Sequence, residues 1–198
     1  MTESNADLAA LIGSRICHDL ISPIGAINNG LELLDLAGAM QGPELELISD
    51  SARNAGARVR FFRIAYGAAG DQMLGRAEIV SLLADMASGS RFTVHWKPCD
   101  PTPRAQVRLA FLAVQCCESA MPLGGDIRVS KDESTWTVAA TAQKLSIDAG
   151  LWDRLTRPGL VAGLTPAQVQ FALLPAAAAE QGRRVMTCHE ASGVTVRF

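Results

Sequence analysis

Over the first 70 residues apolar side chains recur at helical spacing, and β-branched alternation sets in only after about residue 90. That shift predicts two modules, a helical one over residues 1–70 and a mixed one over 71–198. Cys17, Leu20, Ile24, Ile27, Leu31 and Leu34 follow one another in alternating steps of three and four, the spacing of a heptad seam. Ser4-Asn5-Ala6-Asp7 offers a capping box near the start. Gly38-Ala39-Met40-Gln41-Gly42 breaks the helix, and Pro43 suits the first turn of a second one. That helix continues through Leu45, Ile48, Ala52, Ala55, Val59, Phe62 and Ala65. The two form an antiparallel helical hairpin. Two helices alone cannot bury both seams, so the hairpin must pack on the rest of the chain or on a second copy, and a dimeric four-helix bundle is expected. Gly13, Gly25 and Gly30 inside the first helix each cost about 1 kcal/mol against Ala and suggest close approach of another surface.

The second module opens with a helix over Glu78 to Ala87, a strand Phe92-Thr93-Val94-His95-Trp96 and a helix from about Arg104 to Ala120. Gly124-Gly125 turns the chain into a hairpin of Asp126 to Ser130 and Thr135 to Thr141. A short helix around Leu151 follows, Thr165-Pro166 opens another to about Glu180, and Val185 to Phe198 supplies two last strands. Helices on one face of a mainly antiparallel sheet make an α+β fold.

With 198 residues the chain can bury a core of its own. A net charge of -2 supplies no basic field for nucleic acid or an anionic membrane surface. The N-terminus has no basic leader and no apolar run reaches membrane-span length, so a soluble, cytoplasmic protein is expected. Five cysteines make a disulfide framework improbable, and Cys17, Cys99, Cys116, Cys117 and Cys188 read mostly as small apolar residues. His95 and Cys99 could be drawn with Cys188 and His189 around zinc, but the segments are distant and lack CxxC pairs, so no metal is expected. His95 and His189 read as structural or surface residues.

Chemistry concentrates in Ile16-Cys17-His18-Asp19-Leu20-Ile21-Ser22-Pro23-Ile24. If Leu20, Ile24, Ile27 and Leu31 face the core, then Arg15, His18, Ser22, Gly25 and Asn29 form a separate solvent-facing stripe. An exposed neutral imidazole presents a nucleophilic ring nitrogen that can accept a phosphoryl group. Asp19 could hold the other ring nitrogen, fixing the tautomer or acting as general base, although neighbouring helix positions do not naturally face one another. Pro23 removes the amide that would bond the carbonyl of Asp19, loosening the backbone just after the histidine. On residue chemistry alone, a surface histidine beside an incidental kink is the slightly better reading, because His-Asp neighbours are common.

The run His18-Asp19-Leu20-Ile21-Ser22-Pro23-Ile24 resembles the H-box of histidine kinases. The longer stretch from Ser14 to Leu34 is similar to ChpT-type bacterial histidine phosphotransferases. The resemblance implies a dimeric four-helix bundle carrying phosphohistidine at His18, followed by a domain shaped like the kinase ATPase domain without its nucleotide site. It implies Arg15, Ser22, Gly25 and Asn29 as a docking surface for response-regulator receiver domains, including that of a hybrid histidine kinase.

Leu112 to Gly125, where kinases carry an Mg²⁺-binding asparagine, has none, and Ala140-Thr141-Ala142-Gln143-Lys144-Leu145 lacks the Asp-x-Gly-x-Gly loop. Gly163 reads as an ordinary turn glycine. The expectation is therefore a phosphorelay carrier without ATP or any cofactor, using Mg²⁺ held by the partner receiver. A diverged ATP-dependent kinase and a non-catalytic receiver-binding scaffold are the competing readings.

Overall fold

A computed structural model describes residues 2–37, 43–68, 70–88, 90–157 and 161–198, without the side chains of 2–7, 35, 37 and 44. Two helices come first, α1 (Thr2–Ala37) and α2 (Pro43–Ala65). The helix break at Gly38 to Gly42 lies outside the described residues. Because α1 begins at Thr2, Ser4 sits within its first turn and is not the cap of the helix.

The remaining elements are β1 (Met73–Leu74), α3 (Arg76–Ala87), β2 (Phe92–Trp96), β3 (Thr102–Pro103) and α4 (Arg104–Ala120). They continue with β4 (Gly125–Asp132), β5 (Thr135–Thr141), α5 (Ala149–Asp153), α6 (Gln170–Glu180), β6 (Met186–His189) and β7 (Gly193–Arg197). Short 3₁₀ turns at Arg154–Thr156 and Pro166–Gln168 flank residues 158–160. The expected helix from Pro166 is thus a 3₁₀ turn running into α6, and Thr165 and Gln168 cap it reciprocally.

The five-stranded sheet has the order β2-β4-β5-β7-β6. Strand β2 runs parallel to β4, and every other pair is antiparallel. This α+β arrangement agrees with the sequence reading, and period-two burial explains its one-sided packing. Ile127 and Val129, Trp136, Val138 and Ala140, and Val194 and Val196 all lie on the buried face. Gly124 turns the chain into β4 at a φ of +89°, where a side chain would also meet the Arg91 backbone. Gly163 likewise takes a positive φ in its turn.

Helix α4 is the central element, buried almost all round from Val107 to Cys117. It meets the sheet on one side and α2 on the other. Phe61 of α2 stacks on Phe111 of α4 with ring centroids 4.6 Å apart. The aromatic series continues through Trp96 and Trp136 to Phe198. One core therefore runs from the C-terminal half of the hairpin into the sheet. The first part of α1 joins it through Leu8, Leu11, Ile12 and Ile16.

The rest of the hairpin is barer. Of its expected seam, Leu20, Ile27 and Leu34 are half-buried, whereas Ile24 and Leu31 are exposed. Ile21, Leu45, Leu47 and Val59 are also exposed. Among the described residues, nothing in the chain lies within 4 Å of where a side chain on Gly13 or Gly25 would begin, and Gly30 is buried. Cys116 and Cys117 fit the reading as small core residues, and burial pushes both thiols well above the usual range. Cys17, Cys99 and Cys188 depart from that reading, being exposed. Among the described residues no helix is long and apolar enough to cross a membrane.

Candidate functional site

His18 stands on the open flank of α1, with its side chain 82% exposed. Its Nδ1 lies 3.1 Å from Oδ1 of Asp19. The pairing of adjacent residues, unfavourable on a helix by itself, is made possible by a third group one turn earlier. Arg15 Nε donates to Asp19 Oδ2 at 2.7 Å, so the carboxylate is held at both oxygens, one toward the guanidinium and one toward the imidazole. Asp19 is 11% exposed and Arg15 18%, so this pair lies largely out of the solvent that surrounds the histidine.

The second end of Arg15 reaches across the chain. Its Nη1 donates to the carbonyl of Ala167, in the 3₁₀ turn ahead of α6, at 2.9 Å. The same carbonyl accepts from Nε2 of the buried Gln170 at 2.9 Å, using its second lone pair.

Beneath this chain lies a cavity of about 220 Å³, lined by Arg15, Asp19, Arg58 of α2 and Glu118 of α4 among apolar side chains including Phe61 and Val94. Burial pushes the Glu118 carboxyl up to about 7, against the pull of the Arg15 and Arg58 charges, and the Asp19 charge adds to the rise. Sequence reasoning left Glu118 and Arg58 out of the site. The available signal was an acid that is the one charged residue in the mostly apolar stretch from Leu109 to Ala120.

Of the docking residues expected from the sequence, Ser22 and Asn29 are exposed on the same helix as His18. Gly25 is half-buried, and Arg15 is turned inward toward Asp19. Pro23 is buried within α1. The other two histidines have different neighbours. His95 lies 3.3 Å from Asp126, and the His189 ring packs edge-on against Trp152 at 5.0 Å. Among the described residues no cluster of His, Cys, Asp and Glu has the makings of a metal site.

The histidine phosphotransferase C-terminal domain model matches residues 76–193, more than half of the chain. The chain belongs to this histidine phosphotransferase family. The match begins after both helices of the hairpin, and His18 lies on the first of them. Over 137 residues this histidine phosphotransferase family member is 39% identical to the protein phosphotransferase ChpT of Brucella abortus (strain 2308). That stretch is 68% of this chain and 65% of the relative, so the chain spans just under two thirds of the length of the curated relative it matches. A bacterial phosphotransferase whose structure was solved at 1.7 Å superposes with a TM-score of 0.78 and 30% identity. It covers 97% of this chain and 95% of its own, hairpin included.

Proposed function

We propose that this protein is a phosphorelay intermediate that carries a phosphoryl group on His18 between aspartates of receiver domains. The observation that carries the reading is the 3.1 Å contact of His18 Nδ1 with Asp19 on an otherwise exposed ring. A carboxylate accepting from Nδ1–H places the proton on that nitrogen and leaves the lone pair on Nε2. Nε2 then attacks the phosphorus of an aspartyl phosphate. The N–P bond forms, the P–O bond to the receiver carboxyl breaks, and its electron pair stays on the departing carboxylate. The imidazole becomes cationic, and Asp19 stabilises that charge without taking the proton. Transfer to a second receiver reverses the same steps.

Phosphoryl transfer depends on positioning and charge neutralisation, so the chain needs little machinery of its own. Receiver-bound Mg²⁺ would supply the neutralising charge, with no cofactor held by this protein. Ser22, Gly25 and Asn29 give a flank of small and polar groups on which a receiver can settle beside His18.

The absence of an ATP requirement is supported by the side chains at the degenerate positions. Cys116 is buried, Ser119 Oγ is spent on the Cys116 carbonyl at 2.6 Å, and Gln115 is bonded to Tyr66. The exposed apolar residues Ile24, Leu31, Leu45 and Leu47 favour a homodimer through the hairpin, with residues 1–70 as the dimerisation and phosphotransfer unit and 71–198 as its support. The protein would act in the cytoplasm, where receiver domains are phosphorylated. Incubation with a phosphorylated receiver domain tests the function. Acid-labile phosphate should appear on the wild-type chain and not on His18→Gln, whereas equal labelling of both would reject the site.

A further inference from the structure

Arg15 occupies an unusual place in the molecule. It lies on the phosphoacceptor helix one turn before His18, yet its contacts are with Asp19 on one side and the C-terminal domain on the other. The planar guanidinium serves both at once, with Nε on the Asp19 carboxylate and Nη1 on the Ala167 carbonyl. The carbonyl is itself fixed, since it also accepts from Gln170, whose side chain is 1% exposed. Leu11, Ile12 and Ile16 pack this part of α1 against the core, so the anchor lies in the packed part of the hairpin.

The geometry points to Arg15 as a positioning residue for phosphotransfer, one that uses the Ala167 carbonyl as a fixed point and holds Asp19 where it keeps the His18 proton on Nδ1 and the lone pair on Nε2. The inference rests on the phosphotransfer reading of His18 and adds a role for the C-terminal domain in it. A carboxylate free to rotate would leave the exposed imidazole to exchange its proton between both nitrogens with solvent, reducing the fraction of rings in the reactive tautomer. Arg15 touches no reacting atom. Its effect passes through Asp19, and the Glu118 and Arg58 side chains that share the cavity keep its charge in a partly enclosed, mixed-charge setting.

The test compares the full-length wild-type chain with Arg15→Lys and Arg15→Ala by two readouts. The first is ¹⁵N NMR of the His18 imidazole, whose two nitrogen shifts report which one holds the proton. The second is single-turnover transfer from a phosphorylated receiver domain, with the maximal rate separated from the half-saturating receiver concentration. The Nδ1–H form should dominate in the wild type and give way to a mixture in both variants. Lysine keeps the positive charge but cannot span two acceptors from one planar group. The maximal rate should fall on the order of tenfold or more, with half-saturation changed less than about twofold.

An unchanged tautomer and rate in Arg15→Lys would overturn the proposal. So would a raised half-saturating concentration at constant maximal rate, which would make Arg15 a docking residue. If Arg15→Ala does not fold, Arg15→Lys decides. If the wild type itself accepts no phosphoryl group, the functional reading fails, while the tautomer measurement still decides whether Arg15 holds Asp19.

Discussion

The Tyr66 hydroxyl at the end of the hairpin and the Gln115 amide at the middle of α4 are bonded to each other, with Gln115 Nε2 donating to the hydroxyl at 3.0 Å and the hydroxyl lying 3.2 Å from Oε1. Burial pushes the Tyr66 hydroxyl up to about 12, which keeps it protonated and able to donate. Gln115 is buried in the core. Tyr66→Phe should therefore leave a buried amide unsatisfied and destabilise the fold by about 1–3 kcal/mol. Urea unfolding measures it, and an unshifted midpoint would mean that water or a neighbour satisfies the amide.

The exposed half of the hairpin seam predicts a homodimer at micromolar concentration. Leu31 is half-exposed in the single chain, so Leu31→Glu should cost the protomer little stability and still break the assembly, by placing a charge in an apolar interface. Sedimentation should find wild-type dimers and folded variant monomers. A wild-type monomer, or an undisturbed variant dimer, would remove the hairpin from the interface.

Glu118 predicts a pH dependence of stability. Its carboxyl is raised from the ordinary 4.5 to about 7, so between those values the folded chain binds a proton that the unfolded chain releases. The contribution of this group to stability is full below the lower value and is lost as pH rises toward and through 7. Glu118→Gln keeps the shape without the ionisation. Its melting temperature should gain on the wild type as pH rises from 5 to 8, and parallel curves for the two proteins would contradict the shift.

ATP should not bind. The positions that would have to hold Mg²⁺ and adenine are Cys116, Ser119 and the stretch from Ala140 to Leu145, which offers Gln143 alone as an amide. Calorimetry with Mg-ATP up to millimolar concentration should show no saturable heat. Label from the γ-phosphate on His18 would make the protein a kinase.

The sequence made the fold legible wherever local chemistry agrees with tertiary packing. The apolar run that becomes α4 and the alternation in β2, β4 and β5 fall where residue periodicity puts them. His18 is exposed, as the solvent-facing stripe predicts, although Arg15 and Gly25 of that stripe are partly buried. Other features depend on partners remote in sequence. The two-residue ladder of Met73–Leu74 with Thr102–Pro103 is too short for any pattern, and its proline argues against a strand. The Asp19 orientation depends on Arg15, and the Arg15 orientation on a backbone carbonyl 152 residues away, whose side chain is only alanine. Glu118 lies in a helix whose sequence points only to the degenerate nucleotide site, and the packing of α4 against the hairpin brings it to the cavity it shares with Arg15 and Asp19.

The most direct test of the account is the location of the phosphoryl group after the chain is mixed with a phosphorylated receiver domain and no nucleotide. Phosphorus–imidazole correlation by NMR distinguishes the two ring nitrogens. The geometry predicts a single phosphohistidine at His18, attached through Nε2, because Asp19 occupies Nδ1. No transfer, or phosphate on any residue other than His18, would contradict the relay itself, and attachment at Nδ1 would contradict the role given to Asp19.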